Sequence, residues 1–429
     1  MSEHAIGSFF VFVLAILAAA HLLGNLFARL RQPRVIGEIL AGVLVGPSVL
    51  KFTAVVSGAS DISAKAALDI LYWLGLLLLM FLSGAETKGL FKREDRREVG
   101  WLAIVGTGFP FVLALILGSR FPLDSMMGTV QRRLPLLLVI GIAVAVTSIP
   151  VISRIFFDLK ILHTRFARLV LGVAVMEDIG LWAVLAIATA LAQSHDVPAH
   201  MIARQIFITL AYFILGLVVM PRLLARAHEA RWNTFSKNSP TAYLLLLMFA
   251  YVGVAAALKI NLVFAAFLAG LVVPHGSLRF SEALGSVKGM SFGCFIPIYF
   301  AIVGYKLDLG KSFSLKMLAS FLVIACMIKL LSVLIGARLA GFNLSDAINL
   351  AVATNARGGP GIVLASVAYE AGIINAAFYT TLILLAVLTS QLAGAWLEFV
   401  LRKGRPLLSE QLAPAPLSPQ PAEIDVLAA

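Results

Sequence analysis

Glu177 and Asp178 stand side by side within Leu169–Gln193, an apolar stretch that carries no other charge. A stretch of that length crosses a bilayer, and carboxylates held at such depth are costly enough to mark a site for protons or cations. Three basic residues also interrupt apolar stretches: Arg154, Lys329 and Arg357. Arg154 lies near the cytoplasmic end of its stretch, where a long side chain reaches the interface, whereas Lys329 and Arg357 lie deeper and require partners. The deep groups form a nearly neutral set that changes charge on taking up a proton or a cation. The same four groups would equally serve as permanent salt bridges between helices. Adjacent helical residues point about 100° apart, so the two carboxylates need not reach one cavity. Arg357, always charged, suits compensation of helix ends better than proton exchange, and Lys329 is open between structural partner and titrating competitor.

Two helix-breaking sequences lie at the midpoints of other apolar stretches: Thr147-Ser148-Ile149-Pro150, and Asn355 through Gly361, NARGGPG. Free backbone groups cannot face lipid, so such breaks are tolerated where they line a cavity enclosed by protein. They leave half-helix ends inside the membrane, whose partial charges help to bind or repel ions. Thr147 and Ser148 offer hydroxyl oxygens to a monovalent cation, or hydrogen bonds between helices. Asp178 is expected to face the point where the two breaks cross.

Positioning these residues falls to an all-α polytopic membrane protein. The 429 residues are 60% hydrophobic and 13% charged, with mean hydropathy +0.97, which excludes a soluble multidomain enzyme. About thirteen stretches approach spanning length: 8–28, 35–50, 67–85, 100–119, 134–157, 168–193, 201–221, 240–258, 261–274, 290–305, 314–337, 347–369 and 376–401. The N-terminal segment lacks the basic region of a cleavable signal, and its first stretch reads as a retained crossing. Placing the N-terminus outside and the C-terminus in the cytoplasm puts roughly 21 Lys and Arg inside against about 10 outside, as the positive-inside rule requires. The net charge of +12 therefore points to an anionic leaflet and not to nucleic acid. Cys294 and Cys326 lack metal-ligand spacing and read as packing residues, and His21, His163 and His275 are scattered without ligand spacing. No His-Glu-x-x-His pattern occurs, and no cofactor is expected.

An internal repeat organises the stretches. ILAGVLVGPSVL from Ile39 and FLAGLVVPHGSL from Phe267 share Ala-Gly, an apolar run and Pro in one order. MFLSGAETKGL from Met80 and YFAIVGYKLDL from Tyr299 follow each of them, and the two midpoint breaks complete the series. An offset of seven stretches is odd, so the copies face opposite ways across the membrane. The expected plan is two inverted six-helix repeats, about 8–193 and 240–401, each with one discontinuous crossing helix, joined by a linker helix at 201–221. Residues 1–404 would form the transmembrane domain, and 405–429 a short Pro- and Ala-rich cytosolic tail without fixed structure.

RQPRVIGEILAGVLVGPSVL from Arg31, MFLSGAE from Met80, VMEDIG from Val175, FLAGLVVP from Phe267, FIPIYFAIVGYKLDL from Phe295 and NARGGPG from Asn355 resemble the monovalent cation:proton antiporter superfamily, in the branch of Kef-type and NapA-type exchangers. The resemblance implies a NapA/NhaA-like fold in a homodimer within a bacterial inner membrane. It also implies exchange of Na+ or K+ for protons, with a dimerisation body and a mobile ion-carrying body. It places the essential ion-binding aspartate on Asp178, the residue preceding it on Glu177, and an opposing basic residue on Lys329. A Glu before the essential aspartate departs from the common Asp, Asn or Gln and leaves the proton count open. Arg357 and Asn355 are expected to compensate charge at the crossing. The family's nucleotide-binding regulatory domain has no counterpart within the given sequence. A gated cation channel is the competing expectation, because pores also use carboxylates and broken helices.

Overall fold

The computed structural model describes residues 3–29, 34–46, 62–87, 95–118, 123–162, 164–193, 199–229, 233–274, 277–307 and 312–409. Its first helices are α1 (Glu3–Arg29), α2 (Arg34–Val45) and α3 (Ile62–Thr87). α4 runs through Arg96–Ala103, a π turn at Ile104–Gly108 and Phe109–Gly118. Then come α5 (Arg133–Ala145), α6 (Ile149–Asp158) and α7 (Arg165–Gln193). α8 joins Ala199–Ile214 to Met220–Glu229 through a π turn at Leu215–Val219. α9 (Pro240–Ala257) and α10 (Leu262–Leu271) precede α11, in which Leu278–Met290 and Ile296–Tyr305 flank a π turn at Ser291–Phe295. The chain ends with α12 (Leu315–Leu339), α13 (Leu344–Ala353), α14 (Gly358–Glu370) and α15 (Ala376–Arg402).

Among the described residues nine helices are long and apolar enough to cross a membrane. With the short α2 and α10, and with the pairs α5/α6 and α13/α14 as two interrupted crossings, every expected stretch has its helix or helix pair. Large apolar side chains point outward, Leu22, Ile104 and Phe207 each being 71% exposed, while Asp178 and Lys329 are fully buried. That inversion is the one lipid demands.

Prolines shape these helices. A proline ring collides with the carbonyl four residues earlier. Pro110, Pro221 and Pro297 would strike the carbonyls of Gly106, Leu217 and Gly293, each the middle residue of a π turn. The widened turn relieves the collision without ending the helix. Pro150 and Pro360 instead lie in the first turn of α6 and α14, where no intrahelical donor is lost.

Two expectations are corrected. The tenth expected stretch, 290–305, is the second half of α11, which begins at Leu278 because its first half is amphipathic: Phe280, Ala283 and Val287 are buried while Glu282 and Lys288 face outward. Residues 405–409, expected to belong to the tail, are packed against the helices. Leu407 and Leu408 are buried, the Leu407 carbonyl accepts from Asn349 Nδ2 at 3.1 Å, and Ser409 N donates to the Asp346 carboxylate at 3.0 and 3.1 Å. The chain beyond Ser409, His163, His275 and the side chain of Arg154 lie outside the described residues.

The repeat appears as equivalent contacts. α2 packs along α11, and α3 along α10. Gly42 meets the backbone of Ala301 and Tyr305, and Gly304 meets that of Ile39. In the other pair Gly270 meets Phe81 and Ala85, and Gly84 meets Phe267 and Leu271. Each glycine thus touches the residue three before its opposite glycine, and the two crossings share one register. A β-carbon at any of the four would enter the facing backbone.

Packing divides the helices into two bodies. One holds α1, α2, α3, α9, α10 and α11; the other holds α4 to α7 and α12 to α15, with α8 touching both. Within the second body, Asp95 binds Arg165 and Arg168 at 3.3 and 3.2 Å, which fixes the start of α7 against α4.

Candidate functional site

The two interrupted crossings meet at their breaks. α5 ends where Val146 turns extended, and the Ser148 amide donates to the Ala356 carbonyl at 2.7 Å. Thr147 Oγ1 donates to the Thr354 carbonyl at 2.5 Å, and Ser148 Oγ accepts from the Val151 amide at 3.3 Å. Gly358 takes a left-handed conformation, φ +37°, with Ser148 Oγ and Val151 against it, so a side chain has no space there.

A helix ending inside the membrane leaves its last four carbonyls without intrahelical donors. At α5, with Val146 as its C-cap, three of these carbonyls are held by two cations, and the Ile142 carbonyl before them keeps its helical donor. The Val146 amide binds the Ile142 carbonyl at 2.9 Å, Arg357 Nε binds Ala143 at 2.8 Å, Arg357 Nη2 binds Val144 at 3.1 Å and Lys329 Nζ binds Ala145 at 2.5 Å. Two cations therefore rest on the negative end of the helix dipole. Arg357 also donates to Asn355 Oδ1 at 2.6 Å, to the Ala325 carbonyl at 3.1 Å and to Cys326 Sγ at 3.9 Å. α14 starts with the Arg357 and Gly358 amides on the hydroxyls of Thr389 and Ser390, at 3.3 and 3.1 Å.

The acidic pair splits, as its helical spacing allows. Glu177 Oε1 pairs with Lys329 Nζ at 2.6 Å and accepts a short hydrogen bond from Thr107 Oγ1, all three residues being buried. Thr107 carries no sequence signal, since only the fold brings the π turn of α4 against α7. Asp178 is 0% exposed and both its carboxylate oxygens lack a hydrogen-bond partner. One turn along, the Trp182 indole N–H faces the carboxylate outside hydrogen-bond geometry and is itself unpartnered. Through Lys329, Glu177 touches the last carbonyl of α5, so Asp178 lies one residue from the crossing.

Of the residues expected to handle ions or compensate charge, the structure brings together Glu177, Lys329, Arg357 and Asn355 around the ends of α5 and α13. It spends the Thr147 hydroxyl proton on the backbone of the other crossing. Of these residues, only Asp178 has both side-chain oxygens buried without a hydrogen-bond partner; Glu177 also leaves Oε2 unpartnered but is tied down through Oε1.

Paired interrupted helices around a buried carboxylate define a transporter-type membrane fold. The chain belongs to the sodium/hydrogen exchanger transmembrane family, which matches residues 12–403. It is 28% identical over 415 residues to cation/H+ antiporter 17 of Arabidopsis thaliana, covering 94% of this chain and 50% of the relative. It is 29% identical over 389 residues to the Na+/H+ antiporter NhaS4 of Synechocystis, covering 88% of this chain and 93% of that one. K+/H+ antiporter 1 of Saccharomyces cerevisiae is 28% identical over 398 residues, with 87% and 44% covered. The chain thus spans about half the length of several curated relatives it matches. The sodium proton antiporter MjNhaP1 of Methanocaldococcus jannaschii shares the fold, with TM-score 0.57 and 14% identity over 93% of this chain and 98% of that one.

Proposed function

We propose that this protein exchanges a monovalent cation, Na+ or K+, for protons by alternating access, with Asp178 as the group both ions share. The observation that carries this reading is the carboxylate without a partner beside a crossing whose other charges are compensated. A single carboxylate holds a proton or a cation, and either occupant offsets the cost of its charge in a dry interior. Competition between the occupants couples their fluxes. Glu177 and Lys329 then hold the frame, and the cation's remaining oxygens come from backbone and hydroxyls around the breaks. The names of the relatives, antiporters of Na+, K+ or cations with H+, support exchange.

The body of α4 to α7 and α12 to α15 would carry the ion, moving against the body of α1 to α3 and α9 to α11. α8 would act as the linker between repeats 8–193 and 240–401. We place the N-terminus outside and the C-terminus in the cytoplasm of a bacterial inner membrane, in a homodimer.

Purified protein in liposomes with an imposed pH gradient, challenged separately with Na+, K+ and Li+, tests the reading. Asp178→Asn is expected to abolish cation-dependent proton movement while the protein stays folded. Normal exchange in that variant removes the assignment, and flux that never couples uphill to the gradient favours a channel.

A further inference from the structure

At the face where α14 ends, the two bodies are joined by polar groups that the ion site does not use. Lys306, capping α11, pairs with Glu370 at the end of α14, Nζ to Oε1 3.2 Å. The same ammonium lies 3.9 Å from the centre of the Tyr72 ring on α3, and Tyr72 packs at 5.2 Å on Tyr299 of α11. Tyr379 of α15 reaches across to the Val303 carbonyl of α11 at 3.4 Å and stacks on Tyr369 at 4.8 Å. Beneath the ion pair the hydroxyls of Tyr72, Tyr299 and Tyr379 converge on Ser366 of α14. Those of Tyr299 and Ser366 are buried and do not reach hydrogen-bond geometry.

We infer that this seam is the closing latch of one membrane face, formed when the two bodies meet there and broken each time the ion-carrying body turns to open it. Three features suit a contact that must open. The ion pair is partly exposed, 29% and 24% for the two side chains, so water takes over its charges when it parts. The ammonium–ring contact adds attraction of the same modest size. The buried hydroxyls are poorly satisfied in the closed state and gain partners from water when the seam widens. By contrast, the glycine crossings inside the first body offer no such release, because backbone meets backbone. The contact therefore separates between the bodies, not within one.

This inference rests on the transport reading, and the test separates the two. Lys306→Cys/Glu370→Cys protein and each single variant are placed in liposomes, treated with a thiol cross-linker and assayed for cation-driven proton movement. The expected result is loss of exchange in the cross-linked double variant, recovery on reduction with a cleavable linker, and persistent exchange in both single variants. Exchange at the unlinked rate in cross-linked protein overturns the latch, as does failure of the pair to cross-link. Single variants without any exchange count against the transport reading itself. In a second measurement, Ser366→Cys is labelled with a membrane-impermeant maleimide. Adding Glu370→Gln should speed labelling by up to about fivefold, the most that loss of a partly exposed pair allows, and an unchanged rate counts against the latch.

Discussion

At the residue scale, the buried pair of Glu177 and Lys329 is more vulnerable to half-removal than to replacement. Removing one partner leaves an uncompensated charge and costs about 3–5 kcal/mol, whereas removing both charges together is far milder. Lys329→Met should therefore lower the thermal stability of the detergent-purified protein more than Lys329→Met with Glu177→Gln, as a denaturation series would show. The double variant still loses the donor to the Ala145 carbonyl and should not recover fully. Thr107→Val should cost about 1–3 kcal/mol by taking a donor from Glu177. Sequence alone made the acidic pair visible because charge is conspicuous in an apolar stretch. It did not say which carboxylate is paired, since that choice depends on Thr107 and Lys329, 70 and 152 positions from Glu177.

At the element scale, the four glycines of the paired crossings are equivalent, and substitution should show it. Gly42→Ala and Gly270→Ala each press a methyl group into a facing backbone, so each is expected to destabilise by at least the roughly 1–3 kcal/mol of an overpacked core. Gly293→Ala, with open space about its α-carbon, should be close to neutral. Thermal unfolding of the purified variants distinguishes the groups. The breaks were legible because Pro and Gly have fixed backbone consequences, and the repeat because Ala-Gly pairs recur in order. The π turns were not foreseen, because a proline within an apolar stretch can equally kink or end its helix. The amphipathic start of α11 was hidden because average hydropathy does not see which face of a helix is apolar.

At the scale of the whole molecule, ion pairs and the docked segment 405–409 tie elements of the second body together. Arg165→Ala should loosen the anchoring of α7 to α4 and lower stability by about 1 kcal/mol or less, as expected for partly exposed pairs. Leu407→Ser with Leu408→Ser should cost more, about 3–6 kcal/mol from two buried leucines, and urea or thermal denaturation would rank the two. The seam at Lys306 and Glu370 was not legible, because its members come from four helices and none is unusual in its own stretch. The docking of Ser409 has a mechanical corollary. Ser409 is held by Asp346 in the first turn of α13, through its amide and its hydroxyl. A pull exerted from downstream of Ser409 is thus delivered to the half-helix that leads into Arg357, and so to the crossing of the two interrupted helices.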